Sequence, residues 1–158
     1  MTTKTSKTEN REPETESYIC ATPEETLALG EKIGERLSGG EAVLLYGDLG
    51  AGKTLFTKGI LYALDFDTDE VNSPSFTLVN LYRTEKFDVF HIDLWRLDEK
   101  ADAAAAVGLD EIIEDEKAVV ICEWPERLKN FSFPSKVFKV KIEGDGDDAR
   151  RISIEKLT

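Results

Sequence analysis

Eight consecutive residues constrain this chain more than anything else in it: Gly47-Asp48-Leu49-Gly50-Ala51-Gly52-Lys53-Thr54. They satisfy G-x-x-x-x-G-K-[ST], the phosphate-binding P-loop pattern, at every required position. At average residue usage a random chain of this length would match with odds of about half a percent. The flanks fit as well. Ala42, Val43, Leu44, Leu45 and Tyr46 form a short apolar run, as a buried parallel strand should. After the loop, Phe56, Ile60, Ala63 and Leu64 recur at helical spacing. The motif requires a strand, a glycine loop and then a helix, and the flanks supply that order.

The chemistry of such a loop is direct. Glycines let the backbone take conformations closed to other residues and pass close to a ligand. Successive backbone N–H groups then converge as an anion-binding nest, and the helix starting near Lys53 adds its positive end. Residues 48–55 (Asp48, Leu49, Gly50, Ala51, Gly52, Lys53, Thr54 and Leu55) are therefore the expected nucleotide cradle. Within it, Lys53 reaches the β- and γ-phosphates and Thr54 offers its hydroxyl to Mg²⁺.

Length and composition bound the rest. The chain has 158 residues, which suits one domain with a real core. No apolar run approaches the length of a membrane span, and the N-terminus lacks a signal-peptide apolar core. Cys20 and Cys122 each sit in apolar runs and are expected as reduced core residues of a cytoplasmic protein. A single histidine, His91, excludes a multi-histidine metal site. The net charge of −12 disfavours a broad grip on nucleic acid. A role in a nucleic-acid pathway would need another protein to hold the polymer.

Residues 1–17 contain no aliphatic or aromatic side chain besides Met1 and read as a disordered tail. The single domain is expected over 18–158, with a short edge strand at 18–21. Thr22, Pro23 and Glu25 then form a strong helix start. That helix is expected to run to about Leu37 and stop at Gly39 and Gly40, with Gly30 and Gly34 packing it close to the sheet. Residues 65–69 and 143–148 are acidic turns that lack the Gly and Glu of a calcium loop, and they read as solvated. Residues 76–82 and 87–92 alternate like the arms of a hairpin. An alanine-rich stretch, 101–106, favours helix, and 118–122 reads as a central buried strand. Residues 137–142 and 151–154 read as a closing hairpin. The sum is a three-layer α/β P-loop NTPase domain with a mixed parallel and antiparallel sheet. The P-loop is expected at the carboxyl ends of the central strands.

A P-loop enzyme needs a carboxylate facing the loop to hold Mg²⁺ or orient water. Glu123 directly follows the buried run and Asp93 ends the alternating one, so both are candidates. The competing role for either is a strand-end carboxylate capping the next turn. Asn72-Ser73-Pro74-Ser75-Phe76 lies about twenty residues after the loop, where switch segments with a metal- or phosphate-sensing hydroxyl occur; an ordinary proline turn is the competing reading. Trp124 follows Glu123, where an indole stacks on a base, fills a partner's pocket or caps the core.

Taken together these motifs resemble the bacterial TsaE family. The resemblance rests on the P-loop octapeptide, on Ser73-Pro74-Ser75-Phe76-Thr77-Leu78-Val79, on His91-Ile92-Asp93-Leu94-Trp95-Arg96-Leu97 and on Glu123-Trp124-Pro125-Glu126, in that order. It implies a small Mg²⁺-dependent ATPase of tRNA threonylcarbamoyladenosine biosynthesis. The partners it implies are TsaB and TsaD, which would transfer the threonylcarbamoyl group to the adenosine following the anticodon, in tRNAs reading codons that begin with A. The chain itself would support turnover of that complex and meet tRNA only through the partners. The resemblance also associates Thr54 and Glu123 with Mg²⁺, makes Asp93 an essential acid and sets Thr26 beside the adenine. Ser75 and Arg96 match switch and post-strand positions. Three residues depart from the family pattern: Leu55 and Ser75 where threonines are usual, and Trp95 where tyrosine is usual. Leu55 removes a potential α-phosphate contact.

Three other P-loop classes compete. A metabolite kinase usually carries an Arg-rich lid, which this chain lacks. A GTPase needs the guanine-reading Asn-Lys-x-Asp motif, which is absent. A non-catalytic nucleotide sensor has little use for two strand-end carboxylates.

Overall fold

A computed structural model describes residues 14–74, 76–134 and 136–157. Seven strands form one sheet, in the order β1-β7-β6-β2-β5-β4-β3. The strands are β1 (Glu14–Cys20), β2 (Ala42–Tyr46), β3 (Val79–Arg83), β4 (Asp88–Asp93), β5 (Val119–Glu123), β6 (Val137–Glu143) and β7 (Arg150–Leu157). The inner strands β6, β2, β5 and β4 run parallel. β1, β7 and β3 join antiparallel, so the sheet is mixed, as expected. Helices α1 (Pro23–Arg36) and α2 (Lys53–Ala63) cover one face. The short helices α3 (Ala103–Val107) and α4 (Leu109–Ile112) cover part of the other.

Period-two alternation divides the core between the faces. In β2, Val43 and Leu45 meet Phe56 and Ile60 of α2 and Ile33 of α1, while Ala42 and Leu44 join the second core with Val120, Cys122 and Leu109. Each fully buried aliphatic or aromatic side chain contributes about 1.5–3 kcal/mol. No helix among the described residues is long and apolar enough to cross a membrane.

The α1 start follows its sequence. The Thr22 hydroxyl accepts from the Glu25 N–H at 3.2 Å, and the Glu25 carboxylate reaches back to the Ala21 N–H at 2.6 Å. Gly30 and Gly34 do not serve the sheet, however. A Cβ on Gly30 would stand 2.3 Å from the Phe56 carbonyl oxygen, and one on Gly34 2.5 Å from that of Ile60. Gly59 answers from the other side, where an added Cβ would stand 2.1 Å from the Leu27 oxygen. These glycines let α1 and α2 touch backbone to backbone, which holds the helix that follows the P-loop.

Three boundaries differ from expectation. β1 begins at Glu14, so Glu14 to Ser17 belong to the sheet and not to a tail; all seven β1 residues pair with β7. Main-chain pairing ignores side-chain polarity, and an edge strand needs few apolar residues. Glu16 is further engaged by the Tyr18 hydroxyl at 2.8 Å and Arg36 at 3.5 Å. The rest of the expected tail, 1–13, lies outside the described residues. The first hairpin arm begins at Val79 and not at 76, because Leu78 turns through φ 70°. The alanine helix is shifted to Ala103–Val107 and ends at Gly108, at φ 69°.

Candidate nucleotide site

Residues 47–52 leave the carboxyl end of β2 and enter α2 at Lys53. Gly50 and Gly52 hold φ of 81° and 114°, the left-handed region that favours glycine. Added Cβ atoms there would meet nothing within 4 Å at Gly50 and only the Thr26 methyl, at 3.8 Å, at Gly52. The loop is therefore shaped by backbone conformation, with open space over it. Gly52 caps α2 without any side-chain bond. The first N–H groups of α2 thus keep their capacity for an anion.

Lys53 is 6% exposed. Its ammonium donates to the carbonyls of Gly47 and Asp48, the latter at 3.2 Å, and lies 4.4 Å from the Trp124 ring centroid. Burial pushes its pKa below the ordinary lysine value, against the opposing pull of Glu123, Asp93, Glu126 and Asp48. Trp124 sits at φ 59° and stacks on Trp95 with centroids 4.7 Å apart. The indole thus packs against the second core on one side and meets the P-loop lysine on the other.

Asp93 and Glu123 come together because β4 and β5 are parallel neighbours whose register pairs them directly. Both are 4% exposed. By alternation they lie on the α1–α2 face of the sheet, with Val89, Val119 and Ile121. Glu123 Oε2 accepts from the Thr54 hydroxyl at 3.4 Å. Asp93 Oδ1 accepts from the Trp95 N–H at 3.0 Å, and Oδ2 from the Ser73 hydroxyl at 3.0 Å. Asp93 therefore caps its own turn and also ties down the segment after α2. That segment is held at Asn72, whose carbonyl accepts from Tyr82 Oη and Asn80 Nδ2, each at 3.0 Å. Ser75 lies outside the described residues. Arg96 stacks on Phe76 at 4.5 Å, and Phe76 is 83% exposed.

Thr26 is buried beside the loop. With Gly52, Leu55, Cys20, Asp148 and Arg150 it lines a cleft on the side of the P-loop away from the carboxylates. Asp48 and Leu49 are exposed at the loop crest, and Ala51 is buried beneath it.

Two residues that the sequence does not single out for the site bear on this geometry. Arg150 of β7 fastens the loop from behind, donating to the carbonyls of Ala51 at 2.8 Å and Gly50 at 3.2 Å. It also donates to Gly146 and Asp148 in the β6–β7 turn. Its signal was faint, the first of two arginines after an acidic turn about 100 residues downstream. His91 is fully buried, and its Nε2 lies 2.7 Å from Glu123 Oε2. Its signal was a histidine two places before Asp93, on the same face of the same strand.

The donor set suits a triphosphate with a hard divalent cation. Backbone N–H groups, the α2 N-terminus and Lys53 match phosphate oxygens. One hydroxyl and two carboxylates match Mg²⁺, which is usually held by one or two carboxylates plus phosphates and water. The thiols do not enter this set; burial raises the Cys122 thiol well above its ordinary pKa.

Comparison with known proteins agrees with this fold. The family described as "Threonylcarbamoyl adenosine biosynthesis protein TsaE" matches residues 20–152. A relative from Bacillus subtilis, named tRNA threonylcarbamoyladenosine biosynthesis protein TsaE, is 34% identical over 83% of this chain and 79% of its own. Relatives of the same name from Mycobacterium leprae and Aquifex aeolicus are each 39% identical. They cover 68% and 70% of this chain, and 70% and 77% of their own. The crystal structure of Bacillus subtilis YdiB superposes with a TM-score of 0.72 at 28% identity, over 94% of this chain and 90% of that one.

Proposed function

The chain belongs to the TsaE family and takes part in tRNA threonylcarbamoyladenosine biosynthesis as a nucleotide-hydrolysing P-loop protein, and from that premise we propose that it is the Mg²⁺-dependent ATPase of this modification. The observation that carries the proposal is the contact between the Thr54 hydroxyl and Glu123, beside Asp93 and beneath the P-loop. In P-loop hydrolases a loop Ser or Thr and a strand-end acid hold the cation.

The roles follow from position. The 48–55 backbone and the α2 N-terminus bind the phosphates. Lys53 exchanges its bonds to Gly47 and Asp48 for phosphate oxygens. Thr54 and Glu123 hold Mg²⁺, which neutralises charge on the phosphates. Asp93 orients the attacking water. The cleft at Thr26 and Leu55 receives adenine, so ATP is preferred over GTP. Ser75 belongs to the segment that responds to the γ-phosphate, and Ser73 links that segment to Asp93.

A role in tRNA modification needs a component that holds the tRNA. With a net charge of −12 this chain is poorly suited to hold tRNA, and we assign that task to TsaB and TsaD. They would carry out the transfer to the adenosine following the anticodon, while ATP turnover here resets the assembly. The test is pull-down and ATPase measurement with ATP, with ADP and without nucleotide. Slow hydrolysis alone, a changed rate with the partner pair and tighter association with ATP are expected. No association in any state, or tight tRNA binding by this chain alone, would overturn the proposal. Phosphate transfer to an added metabolite would favour a kinase instead.

A further inference from the structure

Among the described residues, the only buried side-chain polar atom without a hydrogen-bond partner is His91 Nδ1. An orphaned buried polar atom costs about 1–3 kcal/mol. The fold does not require a histidine at this place. His91 lies in the middle of β4, paired with Asn80 on one side and Ile121 on the other, and both Val89 and Ile92 of the same strand are wholly buried aliphatics. An aliphatic residue at 91 would fill the site without an orphan. The other ring nitrogen supplies the reason for keeping the imidazole. Nε2 lies 2.7 Å from Glu123 Oε2; an ionised carboxylate only accepts, so the tautomer with its proton on Nε2 is the one that makes this bond. The same Oε2 accepts from Thr54 at 3.4 Å, and Oε1 takes neither bond.

We propose that His91 is a positioning residue for the reaction: its Nε2–H pins Glu123 Oε2, fixing the carboxylate against Thr54 and keeping Oε1 oriented for the cation. The proposal rests on the reading of Glu123 given above. The cost is the bare Nδ1, and the return is a carboxylate locked before nucleotide arrives. Outer partners of metal-ligating groups act in this way, and losing them typically costs 10–100-fold in metal affinity or activity. Thr54 alone cannot do this, since its contact is long and its hydroxyl is also wanted by the cation.

The chain contains one histidine, so imidazole ¹⁵N and ¹H spectra report on His91 without assignment. At neutral pH, with neither nucleotide nor Mg²⁺, Nε2 is expected to carry a proton whose downfield resonance disappears in Glu123→Ala. A bare Nε2, or a resonance indifferent to Glu123, overturns the proposal. In the full chain, His91→Leu is expected to lower kcat 10–100-fold and raise the Mg²⁺ concentration for half-maximal rate, with KM for ATP within about twofold. His91→Gln, whose amide can donate from a similar place, is expected to recover most of both losses. Wild-type kinetics in His91→Leu, or equal losses in the two variants, overturns it. If the leucine variant fails to fold, a folded His91→Gln slowed more than tenfold overturns it equally. Glu123→Ala run in parallel separates the two levels. If that variant hydrolyses normally, the reading of Glu123 fails; if it is impaired while His91→Leu is normal, only the positioning role fails.

Discussion

The two halves of the site are built by opposite means. The P-loop half comes from eight contiguous residues and acts through backbone N–H groups, a helix end and one ammonium. The carboxylate half joins side chains from two strands thirty residues apart, aligned only because β4 and β5 share a parallel register. The first half has little packing above it; Leu49 is 60% exposed and Gly50 has open space over its Cα. The second is almost dry, with Asp93 and Glu123 each 4% exposed and His91 wholly buried behind them. A backbone nest tolerates exposure because neighbouring N–H groups reinforce one another and remain hydrated until a ligand arrives. A pair of carboxylates that must stand at fixed distances needs locked rotamers, which only packing and hydrogen bonds provide.

The largest expected effect breaks the first half alone. Lys53→Ala should abolish measurable hydrolysis and weaken ATP binding about 10–100-fold, since each charge-assisted bond contributes about 1.5–3 kcal/mol. Wild-type turnover in that variant would remove the P-loop assignment.

Breaking the second half should separate its members. Glu123→Ala is expected to slow hydrolysis at least about 100-fold and raise the Mg²⁺ requirement, whereas Asp93→Ala slows it comparably while sparing ATP affinity. Titration calorimetry at fixed Mg²⁺ distinguishes the two. Equal wild-type kinetics in both would reduce these acids to caps of their own turns, a task Asp93 already performs for Trp95.

A smaller effect sharpens the contrast from behind the loop. Arg150→Ala removes the clamp on the Ala51 and Gly50 carbonyls, so KM for ATP should rise about 3–10-fold with kcat nearly unchanged. A fall in kcat at constant KM would show that Arg150 acts on the chemistry instead.

The smallest is a pH effect on the free protein. Burial lowers Lys53 in the folded state, so between that value and 10.5 the unfolded chain binds more protons. Stability of the nucleotide-free protein should therefore rise with pH as it approaches the ordinary lysine value, and Lys53→Met should flatten that rise. A slope unaltered by the substitution would assign it to other groups.

The same contrast explains what could be read in advance. Strand β2, the loop and α2 were legible because each depends on neighbours in sequence: an apolar run, a glycine spacing and a helical period. The Thr22 cap and the β6–β7 hairpin were legible for the same reason. Asp93 and Glu123 could be nominated one by one as strand-end acids, but their adjacency needed the strand order. His91 excluded a multi-histidine metal site, but its contact with Glu123 left no local mark, because that partner is 32 residues away. Gly30 and Gly34 announced a close contact without naming α2 as its object. Glu14 to Ser17 looked unstructured by composition, since ladder hydrogen bonds leave no mark on side-chain type.

The phosphate-binding loop, the α/β class and the pool of acids from which the site is drawn are all written in local stretches of the chain. These follow from local conformational preference and hydrophobic period, which act within a few residues. Folding in three dimensions settles which acids meet, that Glu123 rests between Thr54 and His91, that Lys53 lies against Trp124, and that Arg150 holds the loop from across the sheet. Those contacts depend on strand order and register, set by the burial of two cores on opposite faces of one sheet, and no short stretch of the chain encodes them.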